Sequence, residues 1–256
     1  MRIGYLNTQR GLDDKVDVLE STMCDSFEIF GVGEIDLDPD SIPPLVEGYS
    51  TVTHRNSNGY ARLCVYIKNT ITVDDSICPV DLPIIILQLA QVTIAFAYNG
   101  FTINPYCKNK RRISDKERCN IAIDSLDKIA SMSKKHLIIQ GDFNIDYLSN
   151  TISKRRIANW ALDNDCTQII TSPTRLSKTT NTCLDLCFCR LSNLRRTAST
   201  FDSLVSDHLG ISLSFGRIKP TQIIRSATKW SITPYIRKYA HDNPLNVEHL
   251  EKCELE

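Results

Sequence analysis

Six consecutive residues, Gly141-Asp142-Phe143-Asn144-Ile145-Asp146, directly follow the apolar run His136-Leu137-Ile138-Ile139-Gln140. A β-like run ending in Gly-Asp-x-Asn sets a carboxylate and a carboxamide at a strand's carboxyl end. Two residues apart, they share one face of extended backbone. One can take a proton from water while the other holds that water. Asn7, Glu34, Tyr98, Asp185 and His208 also lie at or just beyond the ends of predicted strands. Asp185 stands between Leu184 and Leu186; a carboxylate buried there needs a partner, and His208 is the natural candidate. If these ends converge, carboxylates, amides, a phenol and an imidazole line one pocket. Such a set suits one or two hard divalent ions, Mg²⁺ or Mn²⁺, better than zinc. A cation there polarises a phosphoryl oxygen and acidifies a bound water, so the expected chemistry is metal-assisted phosphodiester hydrolysis.

The elements that must position these groups are legible in outline. Short strands are predicted at 3–6, 27–32, 49–53, 63–68, 84–89, 92–98, 136–140, 183–189 and 210–215. Helices are predicted at 11–24, 113–132 and 152–163. Strands come in runs broken by few helices. This is not the alternation of a doubly wound sheet; it suits an α+β arrangement of two packed sheets flanked by helices. After Phe215 the periodicity dissolves, so residues 1–215 read as one domain and 216–256 as a tail or linker.

Thirty basic and thirty acidic residues cancel, so any polyanion partner must meet a local basic face. Lys110, Arg111 and Arg112, in the stretch after Tyr98, are one such face. No apolar run approaches the ~20 residues that span a bilayer, and no secretory leader is visible at the start. The ten cysteines therefore read as reduced thiols of an intracellular protein. Cys183, Cys187 and Cys189 share a strand face, but their apolar neighbours favour structural thiols over a zinc cluster.

The order Asn7, Glu34, Tyr98, Gly141-Asp142-Phe143-Asn144, Asp185, Ser206-Asp207-His208 resembles the endonuclease/exonuclease/phosphatase superfamily. It is most similar to the apurinic-endonuclease-like domain of non-LTR retrotransposons of the CR1/Jockey type. Further phrases carry that likeness: Leu6-Asn7 followed by Arg10-Gly11-Leu12, Gly31-Val32-Gly33-Glu34 with Leu37, and Pro173-Thr174-Arg175. The resemblance covers about residues 2 to 215 and implies a four-layered, DNase I-like α/β sandwich.

It also implies roles. Glu34 with Asn7 would hold the metal, and Asp207 would sit on the metal side. Asp142 would activate water, and Asn144 would orient that water or touch the phosphate. Tyr98 would donate to a phosphate oxygen or sit near the leaving group. Asp185 would orient His208, which would contact or protonate the phosphate. Thr174 and Ser206 would add phosphate hydrogen bonds. The implied partner is double-stranded DNA, nicked to leave a 3′-hydroxyl that primes reverse transcription. A reverse transcriptase region and element RNA would be partners in a longer chain, and the location would be nuclear.

The chain departs from the pattern in three places. Asn99-Gly100-Phe101 replaces the usual Arg-Pro-Pro, which makes Tyr106 a rival to Tyr98. Gly59-Tyr60-Ala61-Arg62 replaces a glycine-rich strand start. Gln9 stands where an Asp is common. Two other readings keep the fold: a phosphoesterase acting on RNA or phospholipid, and a nucleic-acid-binding derivative without catalysis.

Overall fold

The structure, a computed structural model, describes residues 1–217 apart from 11, 24–25 and 101–112. In chain order the elements are β1 (Arg2–Asn7), a 3-10 turn (Asp13–Lys15), α1 (Val16–Met23), β2 (Ile29–Leu37), β3 (Tyr49–Arg55) and β4 (Ala61–Lys68). β5 (Asp75–Ile77), β6 (Ile84–Gln88), β7 (Val92–Tyr98), α2 (Asp115–Ser131) and β8 (His136–Asp142) follow. The last are α3 (Ile152–Asp163), β9 (Thr167–Gln168), β10 (Arg175–Leu176), β11 (Asn181–Thr182), β12 (Asp185–Arg190), β13 (Leu194–Phe201) and β14 (Gly210–Arg217).

Two six-stranded sheets result, ordered β13-β14-β1-β2-β4-β3 and β5-β6-β7-β8-β12-β9, with β10 and β11 as a separate hairpin. Alternation along the strands sorts the core. Ile3, Tyr5 and Ile29 face inward onto Ile94, Phe96 and Ile138 of the second sheet. Leu6, Phe30 and Val32 face outward and are covered by Leu19 and Met23 of α1. Leu126 and Ile129 of α2 and Ile157 and Trp160 of α3 join the second sheet's core. The layers run helix, sheet, sheet, helix, as the strand-rich pattern predicts. Each fully buried side chain of the size of Phe96 contributes about 1.5–3 kcal/mol.

The helices start where their caps say. Ser114 and Glu117 form a reciprocal capping box at α2, and the Thr151 hydroxyl accepts the Lys154 amide at α3. Cys183, Cys187 and Cys189 are buried free thiols in the core, and burial pushes the Cys183 thiol up to about 12. Among the described residues no helix is long and apolar enough to cross a membrane. The tail reading for 216–256 and the basic stretch Lys110, Arg111 and Arg112 lie almost wholly outside the described residues, as does Tyr106.

Candidate active site

The site forms at one end of the sandwich, where strand ends from both sheets meet. In the second sheet Tyr98 of β7 pairs with Asp142 of β8, and Asp142 pairs with Asp185 of β12. Three of the expected residues thus sit side by side on adjacent strands. Gly141 permits this. A Cβ there would lie 2.0 Å from the Ala97 carbonyl oxygen on β7. Gly141→Ala therefore pushes two central strands apart and should destabilise the domain by about 3 kcal/mol. A denaturant midpoint within error of wild type would refute that close approach.

Asn7, at the end of β1 in the first sheet, donates from Nδ2 to Asp142 Oδ2 at 2.8 Å, bridging the two sheets. Asn144 adds its backbone N–H to Asp142 Oδ1 at 2.8 Å and its Nδ2 to Oδ2 at 3.0 Å. Its φ of 50° is left-handed, which turns the side chain back toward Asp142. Burial pushes the Asp142 carboxyl up and Asp185 adds to that. His208 and the amide donors pull the other way, and the balance lies at about 7.

His208 Nδ1 lies 2.8 Å from Asp185 Oδ2, and both side chains are buried. Burial alone would lower the imidazole. The Asp185 hydrogen bond and the charges of Asp185, Asp142 and Asp207 overcome it and raise the ring to about 9. The pairing fixes Nδ1 toward Asp185 and leaves Nε2 on the Asp207 side, 3.7 Å from Asp207 Oδ1. The Ser206 hydroxyl oxygen accepts the His208 amide at 3.1 Å, and the Ser203 hydroxyl donates to the His208 carbonyl at 3.0 Å.

Glu34 differs from its expected setting. β2 does not end before it but runs on to Leu37, with a register shift against β4 and left-handed φ values at Glu34 and Asp36. Each residue expected to hold metal has a protein partner: Asn7 has Asp142, Glu34 has Arg62 at 3.3 Å, and Asp207 has Arg175 at 2.8 Å. Thr174 also differs. It is fully buried, and its Oγ1 accepts the N–H groups of Leu184 and Asp185 at 3.0 and 2.9 Å. It faces the start of β12 rather than the surface.

Asp185 Oδ1 and Asp207 Oδ1 are buried with no hydrogen-bond partner, a condition that calls for a cation or donor. Donor atoms of Asp142, Asp185 and His208 lie within 4.8 Å of one another. This group, two carboxylates and an imidazole, suits a hard divalent ion but is a different set from the Glu34, Asn7 and Asp207 expected to hold metal.

Sequence reading missed the part played by Asn99. It donates its backbone N–H to the Asp142 carbonyl and its Nδ2 to the carbonyls of Phe143 and Arg118, and its carbonyl accepts Asn144 Nδ2. A polar residue directly after a strongly apolar strand was the available signal. Arg62 and Arg175 were missed as well, because their partners lie far off in sequence: Glu34 and Asp36 on β2, and Asp207 in the loop before β14.

Residues 101–212 match the family described as endonuclease-reverse transcriptase. The resemblance to the endonuclease/exonuclease/phosphatase superfamily is borne out. Solved structures agree on the fold. The 3′ phosphatase NExo from Neisseria, bound to a product DNA hairpin, superposes with a TM-score of 0.63 at 15% identity, over 84% of this chain and 99% of that one. The endonuclease domain of TRAS1, a telomere-specific non-LTR retrotransposon, gives 0.59 at 14% identity, over 85% and 99%. An AP endonuclease from Archaeoglobus fulgidus gives 0.61 at 12% identity, over 84% and 99%. No curated protein matches the chain by sequence.

Proposed function

We propose that the chain is a divalent-metal-dependent DNA endonuclease that nicks one strand of a duplex and leaves a 3′-hydroxyl. The observation that carries this reading is the Asp185–His208 pair set beside an Asp142 carboxylate held by Asn7 and Asn144. A binding surface has no use for a buried acid–imidazole pair next to a buried carboxylate. The DNA substrate is supported by the NExo phosphatase bound to a product DNA hairpin and by the retrotransposon endonuclease, both of this fold.

Glu34, Asn7 and Asp207 would hold Mg²⁺ or Mn²⁺, which when bound polarises a phosphoryl oxygen and acidifies water. Asp142 takes the proton of the attacking water, and Asn144 orients it. His208, cationic through Asp185, presents Nε2 to the charge that develops on the phosphate. Tyr98 donates from the neighbouring strand. Thr174 acts one step back, holding Asp185 in place, and Ser206 keeps its hydroxyl hydrogen for a phosphate oxygen. Lys110, Arg111 and Arg112 would contact the DNA backbone, giving affinity without sequence readout. The catalytic domain would be 1–215, acting in the nucleus to supply a primer end to a reverse transcriptase and its element RNA.

Purified protein is incubated with supercoiled plasmid in Mg²⁺, Mn²⁺ or EDTA. Open-circular product with either metal, none in EDTA, and ends that a polymerase extends without further processing are the expected outcome. Folded protein that nicks in no metal sinks the reading.

A further inference from the structure

The distorted stretch of β2 turns two carboxylates toward the same cations. Arg62 of β4 donates Nε to Asp36 Oδ1 at 2.6 Å and Nη2 to Glu34 Oε1 at 3.3 Å. Its guanidinium carbon lies 4.6 Å from the centre of the Tyr98 ring. Arg10 approaches the same acids, with Nε 3.1 Å from Asp36 Oδ2 and 3.7 Å from Glu34 Oε1. Two carboxylates are therefore matched by two guanidinium groups. The Arg62 side chain is only 14% exposed, against 61% for Arg10. A cation as buried as Arg62 is retained only by its partners, and removing one partner costs far more than a surface pair would.

This arrangement bears on Glu34 in two ways. It fixes the carboxylate in the site wall beside Tyr98. It also satisfies that carboxylate's charge before any metal arrives. We propose that Arg62 is a positioning residue that competes with the divalent ion for Glu34, lowering metal affinity while it aligns Glu34 and Tyr98. Arg10 is a weaker competitor, screened by solvent. The inference rests on the reading of Glu34 as the metal-side carboxylate. Asp36 has a part in it as well, because its negative charge keeps Arg62 from being held by Glu34 alone.

Calorimetric titration of Mn²⁺ into wild type, Arg62→Met and Arg10→Met tests the competition without reference to turnover. Arg62→Met should bind Mn²⁺ about tenfold more tightly, and Arg10→Met less than about threefold more tightly. At saturating Mn²⁺, Arg62→Met should nevertheless nick more slowly by about tenfold or more, because Glu34 and Tyr98 have lost their anchor. A merely structural arginine would weaken both properties together. Folded Arg62→Met with equal or weaker Mn²⁺ binding overturns the proposal. If Arg62→Met does not fold, Arg62→Lys decides. It keeps the charge but loses the fork that spans both acids, so Mn²⁺ binding must still tighten, and unchanged or weaker binding overturns the proposal. Wild type that binds Mn²⁺ but nicks nothing would remove the nuclease reading and leave the competition result standing.

Discussion

Asp142→Asn should retain the fold and lose about 10²–10⁴ in the nicking rate at saturating metal. The side chain keeps its volume, so the close contact of β7 with β8 is undisturbed. What it loses is a group able to accept a proton. It also loses complementarity, because Asp142 accepts N–H groups from Asn7 and Asn144 on both carboxylate oxygens. An amide supplies one acceptor and turns the other position into a donor facing a donor, a mismatch costing about 1–3 kcal/mol. Single-turnover nicking at several Mn²⁺ concentrations separates the catalytic loss from any loss of metal affinity. A rate within about fivefold of wild type at saturation would mean that another group takes the proton.

The second large effect belongs to a pair. Asp185→Asn should lower nicking by about 10²–10⁴, comparable with His208→Ala, and the double variant should be no worse than His208→Ala. The reason lies in the burial of His208. Without Asp185 the ring loses the largest influence that offsets its burial, so its pKa falls and less of it is cationic. A neutral ring cannot stabilise charge developing on the phosphate, and its tautomer is no longer fixed. Additive losses in the double variant would show that Asp185 acts on something other than His208. The orphaned Asp185 Oδ1 names the place to look, since a metal-side role would appear as weaker Mn²⁺ binding in Asp185→Asn but not in His208→Ala.

How far these features are readable depends on whether the signal is local. β7 and α3 match their predicted spans because one is a continuous apolar run and the other a clean helical period. The Asp185–His208 pair follows from burial alone, since an acid between two leucines must find a partner. β13 escapes prediction: most of its residues are exposed or half-buried at a sheet edge, so no apolar alternation marks it. β10 and β11 have two residues each, too short to show a period. The Arg62–Asp36–Glu34 cluster is invisible for a different reason. Its members stand out in the sequence singly, but a bulge in β2 decides which of them meet, and register is not written in the residue types. The Pro173-Thr174-Arg175 phrase implies a phosphate contact for Thr174, whereas the structure buries that side chain. The pairing of its hydroxyl with the amides of Leu184 and Asp185 requires the fold.

The first sheet joins the beginning of the chain to the end of the domain. β1 lies between β2 and β14, and the Met1 amino group reaches the Phe215 carbonyl at 2.9 Å. Asn7 closes one strand of that pair, and His208 precedes the other. During synthesis, β1 must therefore wait for β14, which pairs Arg2 with Ser214, before its ladder is complete. At about 5–20 residues per second that wait lasts tens of seconds or less. Throughout it, Asp142 lacks the His208 imidazole on which the proposed cleavage would depend. On the proposed reading, a nascent chain would leave nucleic acid uncut until the ribosome has passed the whole domain. The timing is set by strand order alone, with no inhibitor required.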